Sequence, residues 1–314
     1  MTRDSLDHLD SLARYTAASE RAADQIIRAY STSFGVATRL LGHRHRSHVR
    51  NIYALARVAD ELVDGVSELP GETLTQQHEA LDQLETETES ALRHGYSSNP
   101  IVHAFAHTAR ASGIDTSLTR PFFASMRTDL TDSQAHHPQV FDEQEHADYV
   151  YGSAEVIGLM CLRVFVRDEP HDEATSRELE RGARSLGAAF QNVNFLRDLA
   201  DDSDRLGRSY LSDQGRLSAD DQARWIATIR EQLGTARGTL ALLPRDARLS
   251  VACALRLFAR LTDRLERVPA AQLYSRRVRV PGPEKAWLIM RESIAVRRGS
   301  AAVRGSMFRK GRIA

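Results

Sequence analysis

The chain has 314 residues, 42% of them hydrophobic and only 6% aromatic, which is enough for a real core but poor in strand-favouring residues. Lys plus Arg (42) balances Asp plus Glu (42), so no global field draws the protein to nucleic acid or a membrane, and any anion binding must be local. The two cysteines, Cys161 and Cys253, lie in apolar stretches and read as buried free thiols of a reducing cytoplasm rather than as a disulfide.

Met1 to Asp10 is polar and acid-rich, without the basic and apolar regions of a secretory signal. Helical periodicity runs from Leu6 to about Leu41. Tyr30-Ser31-Thr32-Ser33-Phe34-Gly35 interrupts it, because hydroxyl side chains compete with the helix backbone. Gly42 to Ser47 is basic and histidine-rich; with no cysteine or acid nearby in sequence, it reads as a solvated turn rather than a metal patch. The helix that follows carries Asp60-Glu61-Leu62-Val63-Asp64 and is closed by the breakers of Gly65 to Gly71.

Glu72 to His94, Pro100 to Ser112 (stopped by Gly113) and Leu118 to Leu130 are further helices, and His136-His137-Pro138 breaks the pattern. Glu143 to Phe165 resumes it. Its longest apolar run, Val156 to Val166, contains Arg163 and is about eleven residues, short of the ~18–20 needed to span a bilayer, so a soluble or peripheral protein is expected. Asp168 to Asp172 is a loop, Glu178 to Ala200 a helix, and Asp201 to Gln214 reads as a loop from Gly207 and its density of Asp and Ser. Ser218 to Leu243 and Leu249 to Val268 are helical, and Pro281-Gly282-Pro283 turns the chain into a last helix from Glu284. The basic tail 297–314 is expected to be poorly ordered. Lacking repeats and long linkers, the chain reads as one all-α domain over 1–314.

At about 100° per residue, Tyr53, Arg57, Asp60 and Asp64 share one helical stripe, and Gln191, Asn194, Asp198 and Asp202 share another beside Leu179, Ala183, Leu186, Phe190 and Val193. An i, i+4 aspartate pair alone is more often solvated charge, and it slightly destabilises a helix. Two such oxygen-bearing faces opposed across a cavity suit Mg²⁺, which shares its shell with substrate phosphates, and so imply a diphosphate. Arg57 and Arg197 are suited to grip phosphate oxygens, with a salt bridge to the neighbouring Asp as the alternative for each. Ser31 and Ser33 are donors to the same anion or helix caps. Glu143-Gln144-Glu145-His146 has the spacing of a di-iron ligand pair, but that chemistry needs two copies and one is present. There is no glycine-rich phosphate loop and no nucleophile elbow.

Taken together, Tyr30-Ser-Thr-Ser-Phe34, Tyr53-Ala-Leu-Ala-Arg57-Val-Ala-Asp60-Glu-Leu-Val-Asp64-Gly65, Tyr149-Val-Tyr-Gly-Ser-Ala-Glu-Val-Ile-Gly158, Gln191-Asn-Val-Asn194-Phe-Leu-Arg197-Asp198 and Gly207-Arg208-Ser-Tyr210-Leu211 resemble the squalene and phytoene synthase family, in the family order. The resemblance implies an all-α isoprenoid (terpenoid) synthase bundle around a central cavity. It further implies that Asp60, Asp64, Asn194, Asp198 and Asp202 hold Mg²⁺, with Mn²⁺ as a substitute. Tyr30, Ser31, Ser33, Tyr53, Arg57, Gln191 and Arg197 would bind or orient diphosphate, Arg277 and Lys285 would close on it, and Phe34, Tyr149, Ala154 and Gly158 would line the hydrocarbon cavity. Three positions depart from the family pattern: Glu155 where glycine is common, Phe258 where tyrosine is frequent, and Leu211-Ser212 in place of Leu-Pro.

The activity implied is head-to-head condensation of two prenyl diphosphates. The intact aspartate set, in a compact chain without a C-terminal membrane anchor, leads to the expectation of geranylgeranyl diphosphate as substrate and phytoene as product, without NADPH. Farnesyl diphosphate giving dehydrosqualene, squalene or presqualene diphosphate is the alternative, and a non-catalytic helical relative is the third reading. No nucleic-acid partner is expected; a monomer and a homodimer both stay open, as does peripheral membrane contact of the cytoplasmic protein at product release.

Overall fold

A computed structural model describes residues 10–30, 33–65, 73–130, 139–140, 142–205, 208–209 and 216–310. Among them run α1 (Ser11–Tyr30), α2 (Ser33–Arg39), α3 (His43–Asp60), a π-helical turn (Glu61–Gly65), α4 (Leu74–His94), α5 (Pro100–Ser112) and α6 (Thr116–Asp129). Then follow α7 (Glu143–Val150), a second π-helical turn (Tyr151–Glu155), α8 (Val156–Val166), α9 (Glu173–Arg205), α10 (Ala219–Gly238), a 3₁₀ turn (Leu240–Leu242), α11 (Arg245–Glu266), α12 (Ala270–Leu273) and α13 (Gly282–Lys310). The one extended pairing described joins β1 (Gln139–Val140) to β2 (Arg208–Ser209), in parallel.

Local chemistry sets many of the helix ends. Thr73 and Gln76 form a reciprocal capping box at the start of α4. The Asn99 side chain accepts from the N–H groups of Ile101 and Val102, with Pro100 in the first turn of α5. Gly95 and Gly113, at φ of 79° and 67°, end α4 and α5 in the left-handed region. Glu145 completes a capping box with Asp142 at the start of α7, so the Glu-x-x-His stretch is a helix start.

Packing divides into two apolar clusters. One gathers Ile52, Phe105, Phe123 and Met160 from α3, α5, α6 and α8; the other gathers Leu196, Ile229, Leu255 and Leu265 from α9, α10 and α11. Each of these side chains is almost wholly buried, worth on the order of 2 kcal/mol apiece. Leu240 and Val251 pack against both clusters and so join them. α8 lies between the halves, against α3 on one side and α9 on the other. Its contact with α9 depends on two glycines. A Cβ on Gly158 would run into the Ala183 carbonyl oxygen, and a Cβ on Gly187 into that of Ala154.

The structure corrects several expectations. His43–Ser47 is not a solvated turn but the first turns of α3, and it has acidic partners from far along the chain. Arg44 donates to Asp246 (2.7 and 3.1 Å), Asp168 (3.1 Å) and Glu169 (2.9 Å), while the fully buried His45 pairs with Asp246 at 3.1 Å. The Arg44 guanidinium holds the Asp246 carboxyl down at about 2. α9 begins five residues earlier than expected and continues to Arg205, so Asp202 lies on the helix rather than in a loop. α13 begins at Gly282, two residues before the expected start at Glu284. From Glu143 to Val166 the helical path is continuous for 24 residues with a mean hydropathy of 1.4 over its most apolar window, longer than the eleven-residue run and by length and composition enough to cross a membrane. Half of that window is buried, with Val156 and Val164 at 0% exposure, as befits a core helix.

Candidate active site

The first motif sits where α3 gives way to a π turn. Asp60 is the last α-helical residue, and Glu61–Gly65 takes the wider winding, so Asp60 and Asp64 are not one ordinary turn apart. Arg57 donates through Nη1 to Asp60 and through Nη2 to Glu61. Its guanidinium lies 4.4 Å from the centre of the Tyr30 ring, which is half exposed at the end of α1. Arg57 Nε is buried and has no hydrogen-bond acceptor among the described residues, leaving a spare donor at this corner. Tyr53 lies one turn earlier on α3, half-buried.

A second corner forms on α9. Arg197 makes a two-pronged contact with Asp198, Nε to Oδ1 at 2.8 Å and Nη2 to Oδ2 at 2.5 Å. Arg277, from the segment after α12, reaches the same Oδ1 at 2.9 Å. Lys285, in the first turn of α13, has its pKa lowered by burial and then by the charges of Arg197 and Arg279. Like charges held this close together prefer a polyanion between them. Gln191 and Asn194 are half-buried on α9, two turns and one turn before Asp198.

The structure therefore brings Tyr30, Arg57 and Asp60 together at one corner, and Arg197, Asp198, Arg277 and Lys285 at another. For both arginines the salt-bridge alternative describes the geometry seen. Two cationic or acidic neighbours escaped the sequence reading: Glu61, whose only signal was its i+4 spacing from Arg57, and Arg279, two residues past Arg277. Ser31 lies outside the described residues, as does most of the Gly207–Leu211 motif, and so do the side chains of Ser33, Phe34, Asp64 and Asp202.

The expected cavity residues take other partners. Tyr149 is buried, with its hydroxyl donating to both carboxylate oxygens of the buried Asp129 (2.9 and 2.8 Å). Gly158 and Ala154 stand at the α8–α9 contact, since the Cβ direction of Gly158 meets backbone and the Ala154 carbonyl faces Gly187. Glu155 turns away into an ion pair with Arg184 at 2.6 Å. Phe258 stacks on Phe190, with ring centres 3.6 Å apart and planes 17° from parallel, an arrangement that a hydroxyl is not needed to hold. His146 belongs to a hydrogen-bonded chain through Asn192 (3.2 Å) to Gln232 (3.1 Å) and lies against the Trp225 ring.

The donor set offered to a metal consists of oxygen atoms: the carboxylates of Asp60 and Asp198 and the amide of Asn194, with Asp64 on the π turn that follows Asp60 and Asp202 four residues past Asp198 on α9. That chemistry fits a hard cation such as Mg²⁺. Among the described residues no three His, Cys, Asp or Glu side chains are grouped as a ready metal cage, and Asp60 and Asp198 are held by arginines instead.

Comparison with known proteins gives concordant results. The family description squalene/phytoene synthase matches residues 27–284. A phytoene synthase of Arthrospira platensis is 31% identical over 268 residues, 77% of this chain and 82% of its own length. One from Mycobacterium tuberculosis is 31% identical over 287 residues, 85% of this chain and 87% of its own. Among solved structures, a dehydrosqualene synthase superposes with a TM-score of 0.70 at 19% identity, covering 92% of this chain and all of that one. Squalene synthase HpnC from Alicyclobacillus acidocaldarius superposes with a TM-score of 0.66 at 19% identity, over 83% of this chain and 97% of that one.

Proposed function

Because the chain belongs to the squalene/phytoene synthase family, we propose that this prenyltransferase is a phytoene synthase, condensing two geranylgeranyl diphosphates to phytoene with release of two diphosphates and two protons. The observation that carries the reading is the 31% identity, over most of both chains, to proteins named phytoene synthase. Every aspartate and asparagine assigned to the metal is present in the sequence, which argues against a non-catalytic relative.

The site residues support the chemistry as follows. Arg57, with Tyr30 stacked on it, supplies donors at one corner; Arg197, Arg277 and Lys285 supply positive charge at the other. Both suit the negative charge that grows on the diphosphate leaving group as its C–O bond breaks. Mg²⁺, with Mn²⁺ as a substitute, would be held by Asp60, Asp64, Asn194, Asp198 and Asp202 and supplies Lewis-acid stabilisation of the leaving group.

The first allylic cation is captured by the double bond of the second chain, and loss of one proton closes the cyclopropane of prephytoene diphosphate. A second ionisation, rearrangement and loss of a second proton then create the central double bond. No electrons are gained or lost, so the reaction calls for no NADPH. The apolar interior keeps water from the cations. The site of action is the cytoplasm, where the free thiols Cys161 and Cys253 stay reduced. The chemistry itself is open to a monomer or a homodimer.

The test is a product assay. Purified protein with Mg²⁺ and geranylgeranyl diphosphate is expected to yield a C40 hydrocarbon. Absence of that product, with turnover of farnesyl diphosphate to dehydrosqualene, squalene or presqualene diphosphate, replaces this reading with the shorter-chain one.

A further inference from the structure

The last helix has a solvent face that its charge-balanced parent chain does not lead one to expect. Six large hydrophobic residues are well exposed among the described residues, and three of them lie on α13 at i, i+3 and i+7: Trp287 (49%), Met290 (55%) and Ile294 (45%). That spacing places them within about 60° of one another on one stripe. The opposite side of the helix is already occupied, since Leu288 is buried and Ile289 packs on the second core cluster. The outer stripe is therefore not a misplaced core face. Isolated exposed apolar residues are ordinary, but a contiguous row of three with a tryptophan at its head marks a contact surface.

The charges around the stripe indicate what it contacts. From Arg291 to the end, the sequence carries seven basic residues and a single acidic one, Glu292, although the whole chain is neutral. Arg291 lies 5.3 Å from the centre of the Trp287 ring. Beside the stripe, Arg256, Arg260, Asp263, Glu284, Trp287 and Leu288 line a cleft of about 300 Å³ between α11 and α13. Its acids are engaged: Glu284 by Arg260 and Arg264, Asp263 by Arg230 at 3.5 Å. Arg256 has no carboxylate partner among the described residues.

We propose that the outer face of α13 docks on an anionic phospholipid bilayer, with Trp287, Met290 and Ile294 entering the interface and the Arg256 cleft taking a headgroup phosphate. An apolar row flanked by arginine is the composition of a helix that lies in the membrane plane, and tryptophan favours the level of the headgroups. Basic residues close to an anionic leaflet add attraction that salt weakens. The first turn of the same helix carries Lys285, within the field of Arg197, so docking would bring that corner of the site toward the lipid. That purpose rests on the reading of the product as a hydrocarbon; the docking itself does not.

The test uses the full chain and vesicles of phosphatidylcholine, with or without about 30% phosphatidylglycerol. Wild-type protein is expected to sediment with the anionic vesicles and to be released by salt. The Trp225→Phe variant leaves Trp287 as sole tryptophan, and its emission should shift to the blue on binding. Replacing Trp287, Met290 and Ile294 together by Ser should lower partition about tenfold or more, and Arg256→Gln about fivefold, with turnover in detergent retained. Failure of wild type to bind anionic vesicles overturns the proposal, as does unchanged binding by the triple variant. A wild-type dimer that the triple variant converts to monomer, without vesicle binding, assigns the face to a second copy of the chain and also overturns it. Binding is measured without substrate, so this result and the C40 assay fail independently.

Discussion

Replacing Gly158 by alanine sets two effects of opposite sign against each other. Glycine inside a helix costs about 0.5–1 kcal/mol relative to alanine, so the substitution starts with that gain. The new methyl, however, is aimed at the Ala183 carbonyl of α9, with the Gly187 nitrogen 3.8 Å away, and all of these neighbours are backbone. A side chain could rotate aside; a helix backbone moves only if α8 and α9 separate. Overpacking of this kind costs about 1–3 kcal/mol, so the net expectation is a loss of about 1–2 kcal/mol and a fall in Tm of a few degrees. Gly234→Ala is the control. It lies in α10 with no heavy atom within 4 Å of the added Cβ, so it should be stabilising by about 0.5–1 kcal/mol. Urea midpoints at constant m value measure both. A Gly158→Ala protein as stable as wild type, but with a shifted product chain length, would refute the helix-contact argument and restore Gly158 to the cavity wall.

Three other outcomes are expected. Arg277→Gln removes one of the two cations on Asp198 and should lower kcat/KM by about 10–100-fold, while Tm stays within a few degrees; unaltered steady-state kinetics would place Arg277 outside the reaction. Burial, followed by the charges of Arg167 and His107, pushes His48 down to about 4. Its depressed pKa means that stability is fully present above pH 6.5 and is lost as pH falls from there to about 4, by at most ~3 kcal/mol, a slope that His48→Gln should flatten in pH-dependent urea melts. Burial also raises the Cys161 and Cys253 thiols, to about 12 and about 11, so alkylation of the folded protein at pH 8 should be far slower than that of the urea-unfolded chain.

What the sequence disclosed follows the range of the interactions concerned. α5 was readable to the residue because Asn99, Pro100 and Gly113 act within a turn of its ends. The arginine–aspartate corners were readable for the same reason, Arg57 and Asp60 being three residues apart and Arg197 and Asp198 adjacent. His43–His48 was misread because its acidic partners, Asp168, Glu169 and Asp246, lie more than a hundred residues away in sequence. The extension of α9 through Asp202 was hidden by Asp and Ser residues whose local preference is for loops. Tyr149 was assigned to the cavity from its motif, and nothing near it announced Asp129 as its partner.

The two π-helical turns, Glu61–Gly65 and Tyr151–Glu155, both fall inside the motifs that carried the family resemblance. A π turn accommodates one residue more than an α-helix over the same stretch, so each behaves like a single-residue insertion absorbed without breaking the helix. Removing one residue from Tyr151–Glu155 would let the helix run regularly from Glu143 with every side chain beyond it kept in its present phase, whereas regular α winding with all five residues kept would rotate those side chains by about 100° relative to those before it. Under that rotation Gly158 would no longer face Ala183, and α8 would present a bulkier residue to α9. The winding inside these motifs thus sets the phase of the helix that follows, and sequence comparisons across the family should treat one-residue gaps at these two places as a π turn exchanged for an α turn, with the following helix keeping its facing.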